Sequence, residues 1–291
     1  MNRKQFLQSV GLLSLSAATM KLNALTKLTE SFENTEQMPL LFLGHGSPMN
    51  AIQENEFTRG WKASVKNIHK PSAILCISAH WETKGTFVTA MEKPKTIHDF
   101  GGFPDELFAV QYPAPGSPEL AEQVKSTVTK IDVGLDMSWG LDHGAWSVIK
   151  QLYPTADIPV IQMSLDYNQP PHYHYELAKE LASLRKKGVL IIGSGNIVHN
   201  LGIIDWNNPT GGYDWAEAAN TKLKKLISTN NHKGLINYTS LGKELILSVP
   251  TPEHYLPLLY ILGLKEEKEA VSFFNDKTVM GSIAMTSLKI G

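Results

Sequence analysis

At 291 residues the chain is long enough for one large domain with a substantial core. Its composition is 42% hydrophobic and 19% charged, and a formal net charge of −1 gives no basic footprint for nucleic acid or an anionic membrane surface. The one cysteine, Cys76, excludes an internal disulfide and any cysteine-based zinc cluster, so a metal site would be built from the ten histidines and the carboxylates.

In chain order the first 37 residues stand apart. "MNRKQFLQSVGLLSLSAATMKL" places Arg3 and Lys4 ahead of a small and apolar run, Val10 to Met20. That run is too short to span a bilayer, so no stable membrane insertion is expected. The segment resembles a twin-arginine export signal with Lys4 replacing the second arginine. A functioning signal implies a periplasmic or exported protein, and its failure a cytoplasmic one. Residues 1–37 are therefore set aside as an N-terminal extension, and 38–291 carry the fold.

From Pro39 onward, short β-rich runs alternate with helical patterns. Strands are predicted at Leu40–Leu43, Ala73–Ser78, Thr86–Ala90, Ile158–Leu165, Val189–Ile192, Leu245–Val249 and Ser282–Lys289. Helices are predicted near Glu56–Ile68, Pro118–Thr129, Gly144–Leu152, Tyr173–Lys187, Trp215–Ser228 and Pro252–Leu262. The alternation implies a single three-layer α/β domain, its central sheet mostly parallel or mixed and flanked by helices. Between Lys93 and Ser117 runs a long Pro- and Gly-rich irregular segment, of a length that usually carries function.

Histidines recur where apolar runs stop. In "LLFLGHGSPMN" an imidazole, His45, stands between two glycines directly after four apolar residues. His80 ends "AILCISAHW", and His199 follows "VLIIGSGNIVHN". His254 falls in "SVPTPEHYLPLLY", where Thr251 suits an N-cap and Pro252 a first helical position, placing it in the first turn of a helix. Strand carboxyl ends of a parallel sheet share one edge, where open α/β sheets bind ligands. Four imidazoles placed this way can converge, and converging neutral imidazoles make a site for a divalent transition metal such as Zn²⁺ or Fe²⁺. His143 and His98 sit beside glycines in loops that could line a pocket. His172 and His174 at a helix start read as surface residues, and His69 and His232 beside lysines as solvated ones.

The set "GHGSPMN", "SAHW", "HDFGGFP", "YPAPGSPEL", "DHGAW", "GSGNIVHN" and "TPEHYLPLLY" resembles the class III extradiol ring-cleaving dioxygenases, in their 4,5-DOPA dioxygenase branch. The likeness runs from Pro39 to the C-terminus. It implies one divalent metal ion, Zn²⁺ or Fe²⁺, with His45, His80 and His254 at the ligand positions. It also implies His199 as catalytic acid/base, a position sometimes counted as a further ligand, and a DOPA-like catechol and O₂ as substrates. Better-known members use two histidines and a glutamate, whereas the third position here is His254, with Glu253 beside it. Under this reading His143 would hydrogen-bond the bound oxygen or substrate hydroxyl, and Phe100-Gly101-Gly102-Phe103-Pro104 would present aromatic faces to the ring. Two other functions fit the same residues. One is a zinc hydrolase with a carboxylate base such as Glu253, and the other a non-catalytic metal-binding protein of the same fold.

Overall fold

The computed structural model describes residues 35–291. The proposed export signal lies outside the described residues. The strands are β1 (Leu40–Gly44), β2 (Ala73–Thr83), β3 (Thr86–Thr89), β4 (Val133–Asp136), β5 (Val160–Asp166), β6 (Val189–Gly195), β7 (Val271–Phe274), β8 (Thr278–Val279), β9 (Ile283–Ala284) and β10 (Ser287–Ile290). The α-helices are α1 (Glu56–Val65), α2 (Asp105–Phe108), α3 (Pro118–Thr127), α4 (His143–Leu152), α5 (Pro171–Glu180), α6 (Asp214–Ser228), α7 (His232–Ile236), α8 (Lys243–Ser248) and α9 (Leu256–Gly263).

Eight strands form one mixed sheet in the order β4-β3-β5-β2-β6-β1-β10-β7. Its centre is parallel, β5 against β2, β2 against β6 and β6 against β1, while β10 and β7 add antiparallel at one side. Both faces of the central strands are buried, which is why they read as unbroken apolar runs rather than as alternating ones. Leu40 and Phe42 of β1 face one core with Leu75, Ile77 and the helix α9 residues Leu258 and Leu259. Leu41 and Leu43 face the other, with Ile74, Cys76, Trp61 of α1 and Trp146 of α4. Cys76 is thus a buried small hydrophobe, its thiol pushed well up by burial.

The sequence prediction failed at several places, each for a local reason. Leu245–Val249 is not a strand: Lys243–Ser248 is helix α8, with Leu245 and Ser248 buried and Ile246 and Leu247 exposed, so a short apolar run was one helical face. The helix after it starts at Leu256 rather than Pro252, and residues 251–255 form turns in which Tyr255 and Leu256 donate to the Pro252 carbonyl. Strands β4 and β7 are short, only partly buried and show no clean alternation, so the sequence did not announce them. Strand β2 continues five residues beyond Ser78, to Thr83.

Candidate metal centre and pocket

The three candidate ligands reach one point by three different devices. His45 follows β1 directly, and its flanking glycines answer to crowding. A Cβ on Gly44 would lie 2.6 Å from the Met285 carbonyl oxygen, and Gly46 holds φ at +58° with the Met285 sulfur 2.4 Å from where its Cβ would be. His80 does not stand at a strand end, as predicted, but inside β2. There the pairing with β5 jumps from Ile77–Met163 to Glu82–Leu165, so extra residues in β2 bulge out of register and turn the imidazole into the site. His254 lies in the turn before α9, where its carbonyl accepts from the Asn196 N–H just beyond β6 (2.9 Å).

Behind each ring stands an acceptor. Ser194 Oγ donates its single hydrogen to the Gly144 carbonyl, so at 3.0 Å from His45 Nδ1 it can only accept, which fixes the proton on Nδ1 and leaves Nε2 bare. Glu253 Oε1 lies 3.0 Å from His254 Nδ1, and Asp99 Oδ2 lies 3.5 Å from His80 Nδ1. Carboxylates and hydroxyls of this kind orient metal-binding imidazoles. One nitrogen from each of His45, His80 and His254 lies within 4.8 Å of the others.

The donor set fits a divalent ion. His45 Nε2 and His80 Nε2 are 3.2 Å apart, and two nitrogens bound at 2.0–2.1 Å to one tetrahedral ion lie about 3.3 Å apart. With its proton held on Nδ1, His45 turns a bare Nε2 toward His80 Nε2 across this gap. The imidazoles are also in the form a metal needs. Burial first, then the neighbouring imidazoles, pushes His45 and His254 well below the usual histidine range, and burial does the same to His80 despite Asp99.

His199 stacks on His254 with ring centroids 3.5 Å apart and planes 10° from parallel. Its nitrogens are outside the His45–His80–His254 group and instead fall with Glu253 and His254. Burial lowers it to about 4, with Glu253 pulling the other way. His143 opens α4, whose N-cap Asp142 accepts from the Ala145 N–H, and its ring centroid is 3.9 Å from that of His80.

Asp99 was missed in the sequence. Its Oδ1 accepts from the His143 backbone N–H (2.8 Å) and its Oδ2 lies 3.0 Å from His143 Nδ1, so one carboxylate ties the "HDFGGFP" segment to two histidines. Burial raises its pKa, but the bonds from His143 outweigh that and hold the carboxyl below its usual range. An acidic residue beside that Gly- and Phe-rich stretch was the available signal.

A cavity of about 600 Å³ opens over these groups, lined by the five histidines, by Asp99, Phe100, Gly101, Gly102 and Phe103, and by Leu201, Ile204, Trp206 and Met280. The long irregular segment therefore does supply a wall. His98 does not line the cavity. Its Nε2 faces the Val110 carbonyl (2.9 Å), and its ring packs on Phe100 and Trp146. Nor is His174 a surface residue. It is fully buried with Nδ1 3.2 Å from the Tyr260 hydroxyl, because α5 turns that side toward α9. His232 is half-buried rather than solvated and meets the Tyr175 hydroxyl, while His172 and His69 are exposed as expected. Glu253, the base of the hydrolase alternative, is engaged by His254 and by the Thr251 hydroxyl.

Comparison with known proteins shows which family the chain resembles. Residues 24–286 match the family described as "Catalytic LigB subunit of aromatic ring-opening dioxygenase", the match beginning inside the 1–37 segment. The chain is 45% identical over 262 residues to the 4,5-DOPA dioxygenase extradiol of Escherichia coli, covering 89% of this chain and 96% of that protein. It is 35% identical over 260 residues to the 4,5-DOPA dioxygenase extradiol of Beta vulgaris, covering 85% and 94%. The crystal structure of an uncharacterized Escherichia coli K12 protein is similar at a TM-score of 0.77 and 42% identity, covering 88% of this chain and 100% of that one.

Proposed function

The chain belongs to the LigB family of aromatic ring-opening dioxygenases and is an extradiol dioxygenase, and from that premise we propose that it opens a catechol ring with O₂ at a divalent metal held by His45, His80 and His254. The observation that carries the proposal is the meeting of three neutral imidazoles, two buried and His80 half-buried, at nitrogen separations suited to one ion. When bound, Zn²⁺ or Fe²⁺ supplies positive charge for the two catechol oxygens, and iron in addition supplies the one-electron chemistry that O₂ requires. The arrangement leaves the proton work to the protein.

A catechol must give up hydroxyl protons on binding, and oxygen–oxygen cleavage later needs a proton returned. His199 is neutral at pH 7 and stands beside the ligand group, so its free nitrogen takes the first proton and gives it back. His143, its Nδ1 turned to Asp99, presents its other nitrogen toward the substrate oxygens. Phe100 and Phe103 meet edge to face with centroids 5.5 Å apart and offer apolar surface to the ring. Both oxygen atoms enter the product, and the carbon–carbon bond beside the diol breaks, leaving a hydroxymuconic-semialdehyde type compound.

The test compares two variants on the same preparations. His199→Ala is expected to keep its metal and bind catechol yet lose about two to four orders of magnitude in turnover, the usual range for general acid–base catalysis. His254→Ala is expected to lose metal and turnover together. A metal-free His199→Ala beside a metal-replete His254→Ala would reverse the two roles.

A further inference from the structure

In the bulge of β2, Ser78 to Trp81 stand opposite Ser164 alone, and both ends of that stretch are tied to one buried carboxylate behind the sheet. Asp142 is fully buried, and each of its oxygens takes donors. Oδ1 accepts from the Ser78 hydroxyl (2.6 Å) and the Ala145 N–H (3.0 Å). Oδ2 accepts from Gln162 Nε2 (2.7 Å) and, more loosely, from Trp139 Nε1 (3.4 Å). Burial and then the charge of Asp99 push the carboxyl up, and the bonds from Ser78 and Gln162 pull it back. Gln162, also buried, is locked in its orientation: Oε1 accepts from the Asp142 N–H (2.9 Å) while Nε2 donates to the side chain, so turning the amide over would spoil both bonds.

Two routes lead from this carboxylate to the histidines. Ser78 Oγ, besides donating to Asp142, accepts from the His80 N–H (3.2 Å). Trp81, directly after His80, stacks on Trp139 with centroids 5.8 Å apart and planes 7° from parallel. His80 therefore stands between two residues that Asp142 anchors. On the other route Asp142 caps α4, so the next residue, His143, takes its direction from the same group. One residue further, the Gly144 carbonyl accepts from Ser194 Oγ, which faces His45 Nδ1.

Resting on the metal-dependent reading above, we propose that Asp142 is a positioning residue for the ring-opening reaction: its carboxylate, oriented by Gln162, fixes His80 through Ser78 and Trp81 and fixes His143 through the first turn of α4. An asparagine there has the right size but the wrong donors. Either orientation sets its NH₂ against another donor, Gln162 Nε2 in one and the Ala145 N–H in the other. A mismatch in a buried network of this kind is relieved only by moving the elements that bear it. Those elements are the bulge and the start of α4.

The experiment exchanges the two partners in the full chain. It reads Zn²⁺ titration of the apo-protein, the visible spectrum of the Co²⁺ form, which reports ligand geometry, and kcat at saturating metal and catechol. Asp142→Asn sets two donors together and Gln162→Glu two carboxylates. Each single variant is expected to weaken metal affinity and kcat by about tenfold to a hundredfold and to alter the cobalt spectrum. The double variant, Asp142→Asn with Gln162→Glu, again opposes a donor to an acceptor and keeps the charge. It is expected to return affinity and kcat to within about fivefold of wild type and to restore the spectrum. A merely structural role would lower Tm in the single variants and leave affinity, spectrum and kcat unchanged, and that result would overturn the proposal. So would a double variant no better than either single one. Should a single variant fail to fold, Ser78→Ala cuts only the link to His80 and is expected to weaken metal affinity by about tenfold; an unchanged affinity there would equally overturn the proposal. A wild type that binds metal but opens no catechol would end the catechol reading, while the affinities and cobalt spectra still decide the role of Asp142.

Discussion

Asp99 joins the two halves of the site. Its carboxylate meets the backbone and ring of His143 and approaches His80, so it aims a candidate proton carrier and a candidate ligand together. Asp99→Ala is expected to weaken metal affinity and turnover by about tenfold to a hundredfold, the usual effect of removing a partner behind a metal-binding histidine. Titration of the apo-variant with metal, followed by turnover at saturating metal, separates the two losses, and an unchanged affinity and rate would place Asp99 outside the machinery. Ser194 does for His45 what Glu253 does for His254. Four of the five histidines were legible in the sequence because each follows an apolar run or sits beside glycine, and His254 was legible from the helix-start pattern of Thr251 and Pro252, although the helix itself begins at Leu256. Asp99 and Ser194 were not, since a partner's role depends on what the fold sets opposite it.

At the scale of elements, the site depends on close approach of α4 to β2. A Cβ on Gly144 would lie 2.5 Å from Ser78 Oγ and 2.7 Å from His80 Cδ2. Gly144→Ala must therefore shift the His80 ring, at a cost of about 1–3 kcal/mol in stability. Denaturant titration should detect that cost and metal titration a weaker site, whereas wild-type values for both would contradict this packing. Where α5 meets α9, burial lowers His174 to about 4, and Asp166 and the carbonyls of Asp166 and Gln169 offset only part of it. The unfolded chain binds that proton more readily, so the stability His174 confers is full above pH 6.5 and declines as pH falls toward 4. The loss amounts to about 3 kcal/mol. Urea unfolding of wild type and His174→Gln at pH 7 and pH 4.5 checks it, and parallel pH dependence in the two would refute it. The central strands were readable in the sequence because burial on both faces makes them continuously apolar. Helix α8 and the bulge in β2 were not, because a five-residue apolar run has no distinguishing period and a bulge leaves no mark in composition.

Across the whole molecule, the sheet order brings β1, β2 and β6 side by side at its centre, and the segments leaving them converge at one edge. That edge is where an open α/β sheet binds its ligand, and the loop of Asp99 to Phe103 together with the segment of Leu201 to Trp206 closes it into a cavity. An ion held by His45 just after β1, by His80 of β2 and by His254 in the turn before α9 would bind the folded chain alone. Chelation should therefore remove about 3 kcal/mol at metal concentrations a hundredfold above Kd, and lower Tm by about 5–10 °C. Equal Tm values with and without chelator would argue against a bound ion. The most direct measurement is oxygen uptake by anaerobically reconstituted Fe²⁺ protein given 4-ethylcatechol, with the visible spectrum recorded alongside. Extradiol cleavage at the histidine centre predicts equimolar consumption of O₂ and catechol with a yellow ring-opened semialdehyde. No oxygen uptake, or uptake yielding a colourless product of cleavage between the hydroxyls, would contradict it.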